Sequence, residues 1–219
     1  MGCEIMELFG EYPTNVEING VRYPVETDFR LMMRLEITIQ TTAKAELGKA
    51  LLPIIQEFYR NNVPRDADAA VRGMILFYRC GDSSERKKPT KRERCYAFDA
   101  DQKYFISAFR SEYGIDLAAV KMHWWEFSAL FSGLGENTEL VRIMQYRATD
   151  VSKIKSRHEK ARIRRLQDIY ALPEAARPHY MTAEESDKAM LDAVNKRYEE
   201  VRRLAEEEAR RKAGEDHAG

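Results

Sequence analysis

The sequence predicts a mainly α-helical protein: a compact multi-helix bundle with a small N-terminal β-hairpin and a projecting, charged C-terminal helix. Three observations lead to this fold class. Apolar residues recur at three- and four-residue spacing along most of the chain, which is the period of an amphipathic helix. A hairpin signal occurs near the N-terminus. Charged residues make up 33% of the chain and hydrophobic residues 44%, a balance typical of helices with solvated faces.

The charge balance and the cysteines argue against several classes of protein. Lys and Arg number 36, and Asp and Glu also number 36, so the net charge gives no general attraction to nucleic acid or to an acidic membrane. No apolar run approaches the roughly 18 residues of a membrane span, and the N-terminus lacks the pattern of a secretory signal. Three cysteines without CxxC spacing and four scattered histidines form no zinc motif. We therefore expect a cytoplasmic protein with reduced thiols.

Residues 1–26 are predicted to form a hairpin that packs on the body. Two β-prone runs flank Asn19 and Gly20, a dipeptide that suits both positive-φ positions of a type I′ turn. Pro24 cannot donate to a strand ladder, so the second strand should lie at an edge or end there. Because two strands alone are marginally stable in water, the hairpin either leans on the helices or accepts a strand from another molecule.

Residues 27–80 are predicted to form the first helical group. Thr27 or Asp28 caps its first helix. The second helix, over residues 43–60, contains Pro53, which should kink it or divide it into two. The third begins at the acidic run DADAA and stops at a Cys-Gly pair.

Residues 81–95 are predicted to be a basic, mobile surface loop. The run GDSSERKKPTKRER is rich in Lys and Arg and contains no large apolar side chain that could be buried. Such a loop either contacts phosphates or an acidic partner, or serves as a solvated linker between two helical groups. The linker interpretation is favoured because no aromatic residues interleave the charges.

Residues 96–173 are predicted to form the helical core, beginning with three amphipathic helices. Asp99 can cap the first helix and Gly114 can end it. Asn137 or Thr138 caps the third. The apolar stripes of the three helices consist of Phe105, Ile106, Phe109 and Tyr113; of Trp124, Phe127, Phe131 and Leu134; and of Leu140, Ile143 and Met144. A further helix over residues 152–172 carries a narrow stripe of Ile163, Leu166, Ile169 and Tyr170 against a basic face.

Residues 174–219 are predicted to be a linker followed by a long amphipathic helix. Thr182 and Glu185 have the spacing of a capping box. Apolar residues follow at three- and four-residue steps, at Leu191, Val194, Tyr198, Val201 and Ala205. Because this stripe is short for a coiled coil, the helix over 183–213 either docks on the body or associates with another chain, including a second copy.

Four runs in this order resemble a known protein family. They are TDFR, FDADQKYFISAFRSEYGIDL, MHWWEFSALFSGL and IMQYR. The chain is similar, from residue 16 to residue 173, to the gene-product-fifteen family of tailed phages and prophages. The resemblance implies a tail assembly chaperone, usually encoded near the tape measure protein, with no reaction attached.

The most promising binding residues lie around the two tryptophans. Successive side chains of a helix point about 100° apart, so one tryptophan should pack inward while Trp125 lines a groove; the alternative is that neighbouring helices cover both. We predict a partner-binding set of His123, Trp124, Trp125, Phe127, Phe131 and Leu134.

No catalytic residues, cofactor or metal are predicted. Phosphate-loop, dinucleotide-binding, nucleophile-elbow and HExxH motifs are absent from the sequence. Two acidic pairs, Asp99 with Asp101 and Glu112 with Asp116, could hold a divalent ion. Both pairs lie at helix boundaries, where capping and the helix dipole already favour acids.

Together the residues and the resemblance predict a non-enzymatic phage protein of tail assembly. The leading hypothesis is a cytoplasmic chaperone that binds the tape measure protein, or another tail assembly protein, and is absent from the mature virion. One alternative is a helical nucleic-acid-binding or regulatory protein that uses the basic loop over 86–94 and the basic face of the 152–172 helix. A second alternative is a minor structural component of the tail.

Overall fold

The computed structural model describes residues 10–43, 45–83, 95–173, 187–197, 199 and 203, and it confirms the mainly helical fold class. A two-stranded antiparallel hairpin precedes the helices. In chain order the elements are β1 (Asn15–Ile18), β2 (Val21–Pro24), α1 (Phe29–Thr41), α2 (Leu47–Phe58), α3 (Ala67–Tyr78), α4 (Gln102–Tyr113), α5 (Trp124–Ser132), α6 (Glu139–Ala148), a 3-10 turn (Val151–Lys153), α7 (Arg157–Ile169) and α8 (187–197). Within the described ranges, no helix combines the length and the apolar character that crossing a bilayer requires.

The hairpin forms at the predicted turn and rests on α3. Asn19 and Gly20 have φ values of 51° and 79°, as a type I′ turn requires. Gly73 of α3 gives the hairpin room, because a Cβ there would lie 2.9 Å from Val16 Cγ1 and 2.9 Å from the Tyr59 hydroxyl oxygen. The hairpin thereby joins the same hydrophobic core as the helices.

Several of the predicted helix starts are confirmed, whereas those predicted for α4 and α7 are wrong. Asp28 and Thr138 cap α1 and α6 through hydrogen bonds from backbone N–H groups of the first turn. Asp99 does not cap α4, whose first residue is Gln102. Asp99 instead accepts a hydrogen bond from the neighbouring Ala100 N–H at 2.9 Å. The helix begins later because residues 98–100 form a turn of their own.

Helices α2 and α7 are shorter than predicted. Helix α2 runs as one helix with Pro53 inside it, so of the two effects predicted for this proline, a kink or a division, the division is not observed. Helix α7 begins at Arg157 rather than near residue 152, because Ser156 caps it and a 3-10 turn precedes it. Ile163 is its buried residue, whereas Ile169 of the predicted stripe is 60% exposed. Since α7 packs mainly on α6, only a narrow stripe of the α7 surface is covered.

The predicted C-terminal helix is confirmed in its described part, which packs on the body. Met190 and Val194 are 2% and 0% exposed and belong to the main core. The buried stripe therefore differs from the predicted one: Leu191 was predicted to be part of it, whereas Met190 is the buried residue. The stretch predicted to project lies mostly outside the described residues. The linker over 174–186 and residues 84–94 of the predicted basic loop lie outside them as well.

A buried ion pair holds the second helical group together. The Arg147 guanidinium donates to both carboxylate oxygens of Asp101, at 2.6 and 2.9 Å. It also donates to the backbone carbonyls of Cys95 at 3.1 Å and Tyr170 at 2.6 Å. The Arg147 and Asp101 side chains are 9% and 2% exposed. One side chain of α6 thus fixes the segment before α4 and the end of α7.

A second arginine joins the two helical groups. Arg30, at the start of α1, donates to the carbonyl oxygens of Leu117 at 2.7 Å and Val120 at 2.9 Å. Its other terminal nitrogen donates to Asp28. The connection between α4 and α5 is therefore held against the first turn of α1.

We predict that Arg147→Ala lowers the free energy of unfolding by about 3–5 kcal/mol, because it leaves the buried Asp101 carboxylate without its cation. Arg34→Ala is the matched control, since Arg34 pairs with Glu57 at 2.5 Å while both side chains are about half exposed. That change should remove only about 0–1 kcal/mol. Urea unfolding followed by circular dichroism measures both. Equal losses in the two variants would contradict the role assigned to Arg147.

Candidate functional site

The two tryptophans at the start of α5 close the C-terminal end of α3. The Trp124 indole N–H donates to the Tyr78 carbonyl at 2.7 Å, and the Trp125 indole N–H donates to the Phe77 carbonyl at 2.9 Å. The last carbonyls of a helix have no partner within the helix. The Trp124 indole thus supplies a donor to the last carbonyl of α3, and the Trp125 indole adds a second donor to the Phe77 carbonyl, which also accepts from the Cys80 N–H at 3.0 Å.

His123 is the N-cap of α5. Its Nδ1 accepts a hydrogen bond from the Trp125 backbone N–H at 3.0 Å. The ring is consequently a neutral imidazole whose Nε2 carries the proton and donates to the Pro13 carbonyl at 3.0 Å. Burial lowers the pKa of His123 below its ordinary value. Histidine is not among the residue types that usually cap a helix, so the sequence does not predict this role.

The starts of α1 and α5 lie side by side. The Phe29 N–H donates to the Met122 carbonyl at 3.1 Å, and the Trp124 N–H donates to the Thr27 carbonyl at 2.8 Å. These bonds form an isolated antiparallel bridge between Asp28 and His123. The backbone on both sides of His123 is therefore fixed by residues of the first helical group.

The structure divides the predicted partner-binding residues into two sets. Trp124, Phe127 and Leu134 are 5%, 0% and 8% exposed. Phe127 is the centre of an aromatic cluster whose rings approach it at centroid distances from 4.8 to 6.5 Å. That cluster consists of Phe29, Phe98, Phe105, Phe109, Trp124 and Phe131.

The other three predicted residues, His123, Trp125 and Phe131, are half-buried. This difference between the two tryptophans agrees with the expectation that only one of them packs fully inward. The three buried residues support the position of the half-buried ones. Contact of any of the six with a partner stays a prediction.

Three rings form a partly open row beside α5, which we call the aromatic edge: Tyr12, His123 and Trp125. Tyr12 stacks on His123 with centroids 5.0 Å apart and is itself 38% exposed. The His123 and Trp125 rings meet edge to face at 6.1 Å. Gly81 lies against the other side of the indole, because a Cβ at that position would be 3.1 Å from Trp125 Cη2.

Tyr12 is not among the partner-binding residues predicted from the sequence, although its ring stacks on His123. No local signal connects Tyr12 with His123, since the two rings meet only in the folded chain.

The two acidic pairs considered as ion ligands are engaged in the fold. Asp101 binds Arg147, and Asp116 forms an ion pair with Arg110. Asp116 also accepts a hydrogen bond from the Ala118 N–H at 3.0 Å. In the part of the chain that the structure describes, no group of three or more His, Cys, Asp or Glu side chains is arranged to hold a metal ion.

Comparison with known proteins gives one match. A family model described as "Bacteriophage Gp15 protein" matches residues 9–172, which is most of the chain. Among curated proteins and among solved structures there is no match. The matched range contains the hairpin, α1 to α7 and the aromatic edge, whereas α8 lies beyond it.

We predict that protonation of His123 destabilises the fold. Because the folded-state pKa lies below the ordinary value of 6.5, its contribution is complete above about pH 6.5 and is lost as the pH falls toward the lowered pKa. The slope should stay below the one-proton value of about 1.4 kcal/mol per pH unit, because the ring is only half-buried. Urea unfolding between about pH 7.5 and pH 5 measures this slope.

His123→Asn is the discriminating variant, since its amide oxygen can still accept the Trp125 N–H but does not titrate. It should flatten the pH dependence in this range. His158→Asn is the control because His158 is exposed on α7, and it should leave the slope unchanged. A slope that is the same in wild type and His123→Asn would show that another group is responsible.

Proposed function

Because the chain belongs to the bacteriophage Gp15 family, we propose that this phage protein is a tail assembly chaperone that holds the tape measure protein in solution. A tape measure protein is a very long helical chain. Before the tail tube encloses it, such a chain exposes apolar stripes, which would aggregate unless another surface covered them. Chaperone activity and the identity of the partner are proposals built on the family.

The observation that carries this proposal is the aromatic edge. Its rings are partly open, and they are held rigidly: the Trp125 indole is bonded to α3, and His123 is bonded on both sides. Partly exposed aromatic side chains on a fixed backbone are typical anchors of protein interfaces. When an amphipathic helix binds its apolar face to such a surface, the aromatic side chains of the receptor lose little conformational freedom, because they are already held in place.

The use of the motif residues also supports a binding role rather than catalysis. Arg30, Asp101 and Arg147 come from the runs that resemble the family, and all three hold backbone segments or each other. His123 bonds to two backbone groups. The strongest candidates for acid–base chemistry therefore serve the architecture, which places the aromatic edge where it is.

A second candidate function, contact with nucleic acid, is favoured by one observation. Helix α7 and the segment before it carry exposed positive side chains, namely Lys153, Lys155, Arg157, Arg164 and Arg165. Such a face can contact phosphates. Binding that is tight, selective for sequence and resistant to about 200 mM salt would support this candidate over the chaperone. Recovery of the protein from purified virions would instead support a structural role in the tail.

We predict that co-expression with the wild-type protein keeps the tape measure protein of the same phage soluble and that Tyr12→Ala weakens this effect. The Tyr12 side chain is 38% exposed and lies outside the helices, so its truncation removes contact area without disrupting helix packing. Binding should weaken about tenfold or more, as for an interface anchor worth about 2 kcal/mol. Soluble yield and co-purification on a tagged tape measure protein measure the effect.

The matched control is Ile169→Ala, which truncates a residue that is 60% exposed on α7 and should leave retention unchanged. Trp125→Ala is less suitable because it also removes the hydrogen bond that ties α5 to the Phe77 carbonyl at the end of α3. Neutralising Lys87, Lys88 and Lys91 should have little effect, since an apolar contact does not depend on those charges. If the wild type neither co-purifies with the tape measure protein nor raises its soluble yield, the proposed function is wrong.

A further inference from the structure

Helix α8 lies in a groove between α2 and α3, which we call the α8 groove. At one end of α3, Arg79 forms an ion pair with Asp187. At the other end, Asp68 accepts a hydrogen bond from the Asn195 side chain at 3.1 Å. Because residues 187 and 195 meet residues 79 and 68 respectively, α8 runs antiparallel to α3.

Gly48 of α2 is the point of closest approach in this groove. A Cβ at residue 48 would overlap the carbonyl oxygen of Ala193 and would lie 3.0 Å from its carbonyl carbon and 3.4 Å from Arg197 Cβ. These three nearest atoms all belong to α8. The absence of a side chain at residue 48 therefore gives room to the backbone of the helix in the groove.

Helix α8 has the properties of a replaceable occupant. The family match ends at residue 172 and includes both walls of the groove, but it does not include α8. The buried side chains of the described part of α8, residues 187–197, form a short apolar stripe that consists of Ala189, Met190 and Val194.

The α8 groove also begins next to the aromatic edge. Arg79, which pairs with the first described residue of α8, is two residues from Gly81, and Gly81 lies against the Trp125 indole. The Arg79 end of the groove is therefore the end of α3 to which the Trp125 indole is bonded. The groove and the edge adjoin at the C-terminal end of α3.

From these observations we propose that the α8 groove binds an amphipathic helix of the partner protein and that α8 covers the groove until that helix displaces it. This inference rests on the proposed chaperone function. The groove fits a helix with a small residue where its backbone crosses Gly48, apolar residues three positions before and one after it, and an acidic residue near its N-terminus to meet Arg79. These requirements correspond to Ala193, Met190, Val194 and Asp187 of α8.

Two full-length variants separate a cover from a simple structural helix. Val194→Lys places a charge on the buried face of α8 and should expel α8 while leaving the groove intact. Gly48→Ala should expel α8 and also block the groove, since its Cβ overlaps the backbone of any helix seated there. Alanine is a better helix former than glycine, so α2 itself should keep its fold. Asp187→Arg, which faces Arg79 with a like charge, is a second variant of the first kind.

The first measurement is fluorescence anisotropy with a labelled peptide of residues 187–197. Val194→Lys should bind this peptide at least tenfold more tightly than the wild type, because its groove is vacant. Gly48→Ala should not bind it. A peptide that carries Val194→Lys is the negative control. Equal binding by the wild type, Val194→Lys and Asp187→Arg would overturn the proposal, provided circular dichroism and melting show that each variant is folded.

The second measurement is retention of the co-expressed tape measure protein. Val194→Lys should retain it at least as well as the wild type, and Gly48→Ala should retain it several-fold less. Equal loss in both variants would show that α8 has only a structural role, and equal retention by Gly48→Ala and wild type would show that the partner binds elsewhere. Either result overturns the inference and leaves the chaperone function standing.

Two further outcomes identify other failures. Loss of retention in every protein, including the wild type, would refute the chaperone function itself, while the peptide measurement would still decide whether the groove accepts a helix. Size-exclusion chromatography tests the remaining occupant. A wild-type dimer that both Val194→Lys and Gly48→Ala abolish would identify α8 of a second copy as the occupant and overturn the proposal.

Discussion

Backbone carbonyl groups at the ends of short helices are the main constraint on this structure. Helices α1 to α7 are between 9 and 13 residues long, and every α-helix leaves its last carbonyls without partners inside the helix. Tryptophan and arginine side chains supply donors there: the two indoles to the end of α3, and Arg147 to Tyr170 at the end of α7. Arginines also donate to carbonyls between helices, Arg30 in the α4–α5 connection and Arg147 at Cys95 before α4. Hydrogen bonds from side chains to the backbone therefore connect the elements of the fold. The side chains that donate them lie in the sequence runs that resemble the family.

Features that depend on neighbouring residues could be predicted from the sequence. The Asn19-Gly20 turn, the caps at Asp28 and Thr138 and the end of α4 at Gly114 all follow from local backbone chemistry. The apolar stripes of the core helices could also be predicted, since a helix that packs on several neighbours buries a full face. Within the candidate site, the difference between Trp124 and Trp125 followed from helix geometry alone.

Features that depend on distant residues could not be predicted. A buried arginine and an exposed one look alike in sequence, and only folding reveals that Arg147 faces Asp101. The stripe predicted for α7 is wider than the buried one, because the helix lies at the margin of the bundle and Ile169 is 60% exposed. The groove around Gly48 could not be predicted, because the sequence does not show which backbone packs against a glycine within a helix. The sequence places His123 in the predicted partner-binding set, and only the structure shows that it caps α5.

The bridge between Asp28 and His123 has a consequence for biosynthesis. A ribosome releases the chain from its N-terminus, at about 5–20 residues per second. The hairpin, α1, α2 and α3 thus emerge before the segment that pairs with Thr27 and Phe29 and before the indoles that close α3. Until residue 125 has left the exit tunnel, the Phe77 and Tyr78 carbonyls lack those partners. The N-terminal half is therefore an incomplete folding unit during translation, and the MHWW segment is the part of the chain whose arrival lets it close.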